Sequence, residues 1–304
     1  MTWLSDRAVE RLQAAAERPD FSGTRYRLLE QIGRGGMGVV YEADDEALGR
    51  RVAVKVLAAE LASSKEADRL RREARTVAGL EHPGIVPVHD VGELPDGRVY
   101  YAMKLVRGEP LDAWTARSPS RTDRLRAFLR VCEAVAFAHA NGVLHRDLKP
   151  RNVMVGEFGA VLVMDWGLAR SAGERPGAGL IAGTPGWMAP EQARGEEGAA
   201  DAASDTFGLG AILRFLIHEG GEPVPRPLRA IAEKAMSEAK EDRYPTAGAL
   251  AEEVTRFLDG RPVSAYRESA FEKAARLVSR NRPLVTIVAA YILMRAAVFF
   301  FFRR

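Results

Sequence analysis

The sequence predicts an α+β fold with its strands near the front of the chain and its helices behind. The first observation is the run of strand patterns: Tyr26 to Ile32, Val39 to Ala43, and the apolar Arg51 to Leu57 interrupted by one lysine. The second is helical periodicity from residue 65 onward. Between Lys65 and Leu80 it puts Leu70, Glu73, Ala74 and Val77 on one face, and it returns at 127–135 and 249–258. The third is size: 304 residues with 47% hydrophobic composition suit one two-lobed domain or two small ones with a real core. A formal charge of +3 and a pI near 9.1 raise the question of nucleic acid. The arginines are scattered, however, with no zinc, RRM or helix-turn-helix signature, so no nucleic-acid partner is expected. Cys132, the single cysteine, lies in a helical pattern as a small apolar group; no disulfide framework exists, which suits a reducing compartment.

In chain order, residues 1–25 read as a helical extension. Ser5 is placed to cap a helix carrying Val9, Leu12, Ala15 and Ala16 on one side, and with Asp6, Arg7, Glu10 and Arg11 in place of an apolar run no cleaved secretory signal is expected. The strand ending at Ile32 runs into Gly33, Gly35, Gly36 and Gly38 with the spacing G-x-G-x-x-G-x-V. Three glycines alone fit a dinucleotide fingerprint or a hairpin turn equally well. A dinucleotide site needs a helix next, whereas Val39 to Ala43 continues as strand, so Gly33, Gly35 and Gly38 read as a phosphate-covering loop with Val40 beneath a base. Lys55 faces a core and therefore needs an anion and a carboxylate; Glu73 is the candidate partner, its plain alternative being a solvated charge among Arg71, Arg72 and Arg75.

The most informative stretch is Val143-Leu144-His145-Arg146-Asp147-Leu148-Lys149-Pro150-Arg151-Asn152, followed by Met164-Asp165-Trp166-Gly167. Phosphoryl transfer from a magnesium-bound nucleotide is mostly positioning and charge neutralisation. An acid must orient the attacking hydroxyl, a cation must meet the transferring phosphoryl, and a carboxylate with an amide oxygen must hold metal. Asp147, Lys149, Asp165 and Asn152 can fill those posts, against the alternative of a polar loop between strands. Here the sequence resembles the HRDLKxxN catalytic loop and DFG motif of protein kinases, with Trp166 replacing the usual Phe. Over 26–260 it is identified as a member of the eukaryotic-like (Hanks-type) bacterial serine/threonine protein kinase family.

That resemblance implies a bilobal protein kinase fold: a small antiparallel β-sheet N-lobe with helix αC over 26–103, a hinge over 104–108, and a mainly helical C-lobe over 109–260. It implies transfer of the γ-phosphate of Mg-ATP to protein Ser/Thr hydroxyls, with Mn2+ as a substitute metal. Lys55 and Glu73 become the β3-lysine and αC-glutamate pair, and Asp147 and Lys149 the catalytic loop pair. Asn152 and Asp165 become metal ligands. The nucleotide contacts are Ile32, Gly33, Gly35, Gly36, Gly38, Val40, Ala53, Lys55, Met103 as gatekeeper, the backbone at Lys104 and Val106, and Met154. Thr184, in Ala182 to Glu191, resembles the substrate loop of kinases acting on Ser/Thr. His145, Arg146, Asp205, and a buried Glu191–Arg243 pair take structural roles. Only Ser171 and Thr184 carry hydroxyls between Asp165 and Glu191, and Glu174 is placed to give Arg146 a permanent carboxylate. A pseudokinase scaffold and a small-molecule phosphotransferase are the rival readings.

Two departures stand out. Residues 219–225 leave no room for the family's αG helix, a docking element, and Trp166 should hinder the ring movement that switches many kinases off. Beyond the domain, 261–283 is a basic juxtamembrane segment. Leu284 to Phe302, spanning roughly 28 Å at the helical rise, reads as a transmembrane helix. Lys273, Arg276, Arg280 and Arg282 would keep the kinase domain on the cytoplasmic side of the inner membrane as a single-pass protein. Arg295 opposes this by about 2.5–3.5 kcal/mol at mid-membrane, and a buried or interfacial helix is the alternative. Expected partners are protein substrates, ATP, the membrane, and a second copy of the chain as an option.

Overall fold

The computed structural model describes residues 18–35, 38–58, 64–117, 119–166, 170–171, 184–195, 201–273 and 282–302. The expected N-terminal helix, Gly36, Glu174 and residues 274–281 lie outside the described residues, as does the side chain of Ser171. Strands β1 (Tyr26–Gly35), β2 (Gly38–Asp45), β3 (Arg50–Leu57), β4 (Val88–Glu93) and β5 (Val99–Lys104) form an antiparallel sheet in the order β1-β2-β3-β5-β4. Both faces of β3 are buried, which accounts for its unbroken apolar run. Val52, Val54 and Val56 pack with Tyr26, Tyr41, Tyr100 and Ala102 on one side. Ala53 and Leu57 face the other, where helix α1 (Ser64–Ala78) lays down Leu70, Ala74 and Val77. Lys55 and Glu73 therefore meet on the inner face, as the two periodicities require.

The chain leaves the sheet at Lys104 and enters β6 (Gly108–Pro110). Residues 105–107, within the stretch expected as the hinge, connect the two strands, and the Lys104 amide donates to Pro87 O at 3.0 Å. Helix α2 (Leu111–Ala116) and then α3 (Arg121–Ala140) follow. Ser120 starts α3, its Oγ accepting from the Asp123 amide at 3.2 Å. Helix α3 is the axis of the second lobe: Phe128, Val131, Cys132 and Val135 are buried in the same core as Leu209, Ile212, Leu213 and Leu216. Those four belong to α5 (Ala202–His218), which follows the short α4 (Pro190–Ala193). Helices α6 (Arg226–Ala235) and α7 (Ala247–Leu258) complete the lobe. Burial pushes the Cys132 thiol well above its ordinary range, in keeping with an apolar role.

Residues 219–225 contain no helix. The loop is instead tied to the start of α3. Buried Arg124 donates to the Glu219 carbonyl, Arg121 donates to Pro223 O at 2.8 Å, and Glu222 reaches Arg121 at 2.9 Å. Past α7, buried Glu253 accepts from the Ser264 amide at 2.6 Å and its hydroxyl at 2.8 Å, strapping the chain to the lobe.

Helix α8 (Arg282–Phe302) occupies the segment expected to span a membrane. That expectation is not met as a structural finding: among the described residues no helix is long and apolar enough to cross a membrane. Nor does α8 pack as a buried helix, since Ile287, Leu293 and Phe301 are 66%, 70% and 85% exposed.

Candidate active site

Strands β7 (Val143–Leu144), β8 (Val153–Gly156) and β9 (Val161–Val163) bracket the loop 145–152 and deliver Met164, Asp165 and Trp166 beside it. The loop is pinned from below by Asp205, near the start of α5. Its Oδ2 accepts from the His145 amide at 2.8 Å and from His139 Nε2 at 2.8 Å, and its Oδ1 accepts from the Arg146 amide at 2.7 Å. Burial opposes ionisation of Asp205, but the His139 hydrogen bond and charge, with His145 and the Arg146 amide, outweigh it and hold the carboxyl below its ordinary value. Arg146 and Asp165 sit at φ 70° and 56°. Left-handed backbone at a residue with a side chain is held only where the surroundings over-determine it, and such strain gathers at functional sites.

The upper edge of the site is a row across the sheet in which Gly33, Val40, Lys55 and Tyr101 are successive Cα partners. Lys55 Nζ lies 2.8 Å from Glu73 Oε1 and 3.0 Å from Asp165 Oδ1. Burial disfavours its charge, yet Tyr101, Glu73 and Asp165 together hold its pKa well above the ordinary lysine value. The Lys55 ammonium in turn holds the half-exposed Asp165 carboxyl below its ordinary range. Gly33 and Gly35 have room for a side chain on the protein's account, so packing does not demand glycine there and the space is open to a ligand. Gly38 differs: a Cβ would overlap the Val56 carbonyl, so close strand packing already requires it. Ala53 and Met103 are buried, Val40 and Val106 lie partly buried against the same core, Met154 is half-buried, and Ile32 is exposed. With the Lys104 amide committed to Pro87, its backbone offer to a base edge is confined to the carbonyl.

At the centre, three described side chains donate to the Asp147 carboxylate. Thr184 Oγ1 reaches Oδ1 at 2.9 Å; Lys149 Nζ and Asn152 Nδ2 reach Oδ2 at 2.7 and 3.2 Å. Lys149 Nζ also donates to Thr184 Oγ1 at 2.7 Å, which ties residue 184 to the loop 145–152. Asn152 uses its amide nitrogen on Asp147, so its Oδ1 is the atom left for a metal. With Asp165 this makes a hard-oxygen pair that fits Mg2+, which is commonly held by one or two protein oxygens and completed by phosphate and water. Trp166 is 1% exposed; its Nε1 donates to Val163 O at 3.2 Å and its ring lies 4.6 Å from that of His145.

The structure thus brings together Lys55, Glu73, Asp147, Lys149, Asn152, Asp165 and Thr184. Three supporting contacts are not apparent in the motifs. His139 on Asp205 and Gln192 Nε2 on Arg146 O at 3.1 Å join separate elements. Tyr101 on Glu73 had a readable signal, a tyrosine on the strand paired with β3.

A two-lobed fold with a glycine-rich β-hairpin and such a loop defines the protein kinase class. The model of the protein kinase domain matches residues 26–261, and the chain belongs to that family. It is 45% identical over 199 residues to serine/threonine-protein kinase PknA of Mycobacterium tuberculosis, covering 62% of this chain and 45% of that protein. It is 35% identical over 283 residues to serine/threonine-protein kinase PknB of Mycobacterium tuberculosis, covering 81% of this chain and 45% of the relative. The chain therefore spans less than half the length of the curated relatives it matches. Among solved structures, the Mycobacterium tuberculosis PknI kinase domain superposes with a TM-score of 0.59 at 25% identity, covering 76% of this chain and 96% of that domain.

Proposed function

We propose that the chain is an ATP-dependent serine/threonine protein kinase that transfers the γ-phosphate of Mg-ATP to protein hydroxyls. The observation that carries this reading is the Asp147 carboxylate, held by Lys149, Asn152 and Thr184 within one hydrogen-bonded cluster beside Asp165 and Lys55. In the reaction the acceptor oxygen forms a bond to γ-phosphorus as the bond to the β-bridging oxygen breaks, and the hydroxyl proton passes to Asp147. Lys149 meets the charge gathering on the transferring group, while Lys55, braced by Glu73, holds the nucleotide phosphates. Asn152 Oδ1 and Asp165 would hold Mg2+, which supplies neutralisation of phosphate charge. A catalytically silent scaffold is disfavoured because each of these positions carries a competent group. A protein acceptor is supported by Thr184 and its bonds to both Asp147 and Lys149.

Membrane attachment through α8 belongs to the same proposal. Its described apolar side chains are exposed, and Lys273 and Arg282 flank its start, an arrangement suited to a hydrocarbon phase with an anionic surface beside it. The test of the catalytic proposal is phosphoamino-acid analysis of a generic protein acceptor after incubation with γ-labelled ATP and Mg2+. Label in phosphoserine and phosphothreonine is expected; label confined to small molecules would replace this reading with the phosphotransferase one.

A further inference from the structure

Tyr101 is a part of the site that no motif assigns. It stands directly across the β3–β5 ladder from Lys55, so strand alternation turns both side chains to the face that packs on α1. The ring is buried and its hydroxyl donates to Glu73 Oε1 at 2.8 Å, the same oxygen that accepts from Lys55 Nζ at 2.8 Å. The Lys55 ammonium also lies over the Tyr101 ring, 5.7 Å from its centroid. Burial pushes the phenol far above its ordinary range, so it remains a protonated donor throughout the physiological pH range.

The arrangement matters because Glu73 has few other holds. Among the described residues its Oε2 is buried without a hydrogen-bond partner, so the carboxylate is fixed through Oε1 alone. One of the two bonds to Oε1 comes from Lys55, which Asp165 also engages at 3.0 Å and which nucleotide phosphates would draw further away. The other comes from a buried ring on an interior strand whose hydroxyl makes no other side-chain hydrogen bond among the described residues. We propose that Tyr101 is a positioning residue for phosphoryl transfer: its hydroxyl holds Glu73, and α1 with it, against the sheet so that Lys55 stays aimed at the phosphates. Phenylalanine would fill the same space and surrender only the donor. The population with α1 drawn in would then fall by the strength of one hydrogen bond to a buried carboxylate.

The inference rests on the kinase reading of the site. Its test uses the full chain as wild type, Tyr101→Phe, Glu73→Gln and the double variant, each assayed for kcat, for KM toward Mg-ATP and for thermal unfolding. Tyr101→Phe is expected to lower kcat about tenfold, the size of a lost hydrogen bond to a charged group. KM for ATP should stay within about twofold because the residues read as base contacts are untouched. On the Glu73→Gln background the same change should cost less than about twofold, since its route through the carboxylate is already cut. Wild-type kcat in Tyr101→Phe, with or without a lowered Tm, would make the residue a packing element and overturn the proposal. A full additional tenfold loss on the Glu73→Gln background would overturn it as well, by showing a route that bypasses Glu73. A wild type that transfers no phosphate overturns both this and the kinase reading, whereas failure among the variants of an active wild type removes Tyr101 alone.

Discussion

Replacing Arg243 with alanine should unfold the second lobe more readily than any surface change, and the geometry fixes how much. The Arg243 side chain is 0% exposed and Glu191 2%. All of the guanidinium's nitrogens are used: Nη1 and Nη2 grip Glu191 Oε1 and Oε2 at 2.8 and 2.9 Å, and the fork also reaches Ala203 O, Ser237 O and Glu238 O. The alanine variant leaves a buried carboxylate with Ser204 as its remaining side-chain partner and strips those three carbonyls of this donor. Breaking one side of such a pair costs about 3–5 kcal/mol, and a domain of this size loses roughly 2–4 °C of Tm per kcal/mol, so a fall of roughly 6–20 °C is expected. An independent figure comes from acid. Burial opposes the charge of Glu191, but Arg243 and Ser204 overcome it and lower the pKa from 4.5 to about 2. Because the folded value is depressed, the stabilisation is fully present above about pH 4.5 and drains away as pH falls toward 2, amounting to roughly 3 kcal/mol. Thermal and urea unfolding of wild type and Arg243→Ala, repeated from pH 7 down to 2, measure both quantities. An alanine variant within about 2 °C of wild type at pH 7 would refute the reasoning, since it would mean the pair is not desolvated as described.

Two further outcomes follow from the site and the C-terminal helix. Trp166→Phe removes the indole bond to Val163 O and shrinks a fully buried ring, so it should lower stability by about 1–2 kcal/mol and reduce kcat by loosening Asp165; equal kcat and Tm would show that the indole anchors nothing. Ending the chain after Pro283 should leave phosphoryl transfer intact and release the protein from membranes, as read by fractionation after an alkaline wash; a full-length chain already in the soluble fraction would contradict attachment through α8.

What could be read from the sequence divides along a physical line. The partner of Lys55 is legible because a lysine in a core strand needs a carboxylate, and the 3.6-residue period of the next helix puts Glu73 on the inward face with Leu70, Ala74 and Val77. Loop 145–152 is legible because its chemistry is dense and local. What escapes are bonds between elements far apart in the chain in which at least one partner carries no motif. Arg124 reaches Glu219 across 95 residues, His139 reaches Asp205 across 66, and Tyr101 meets Glu73 only after β5 has paired with β3. Gly38 shows a second cause that the spacing does not reveal, since the Val56 carbonyl leaves no room for a Cβ there. The empty stretch at 219–225 is legible as a missing helix, but not the two arginines of α3 that secure the loop in its place.

Asp147 is the group proposed to receive the hydroxyl proton, and Asp147→Asn tests that role most directly. Asparagine keeps the size; its one amide oxygen can accept from Lys149 and Asn152 in the place of Oδ2, and its Nδ2 can donate to Thr184 Oγ1, so the fold and nucleotide binding should persist while the base is gone. Steady-state transfer of γ-phosphate to a protein acceptor, measured beside ATP affinity and Tm, is expected to fall by about 10²–10⁴-fold in kcat with the other two unchanged. An Asp147→Asn enzyme with wild-type kcat would contradict the account at its centre.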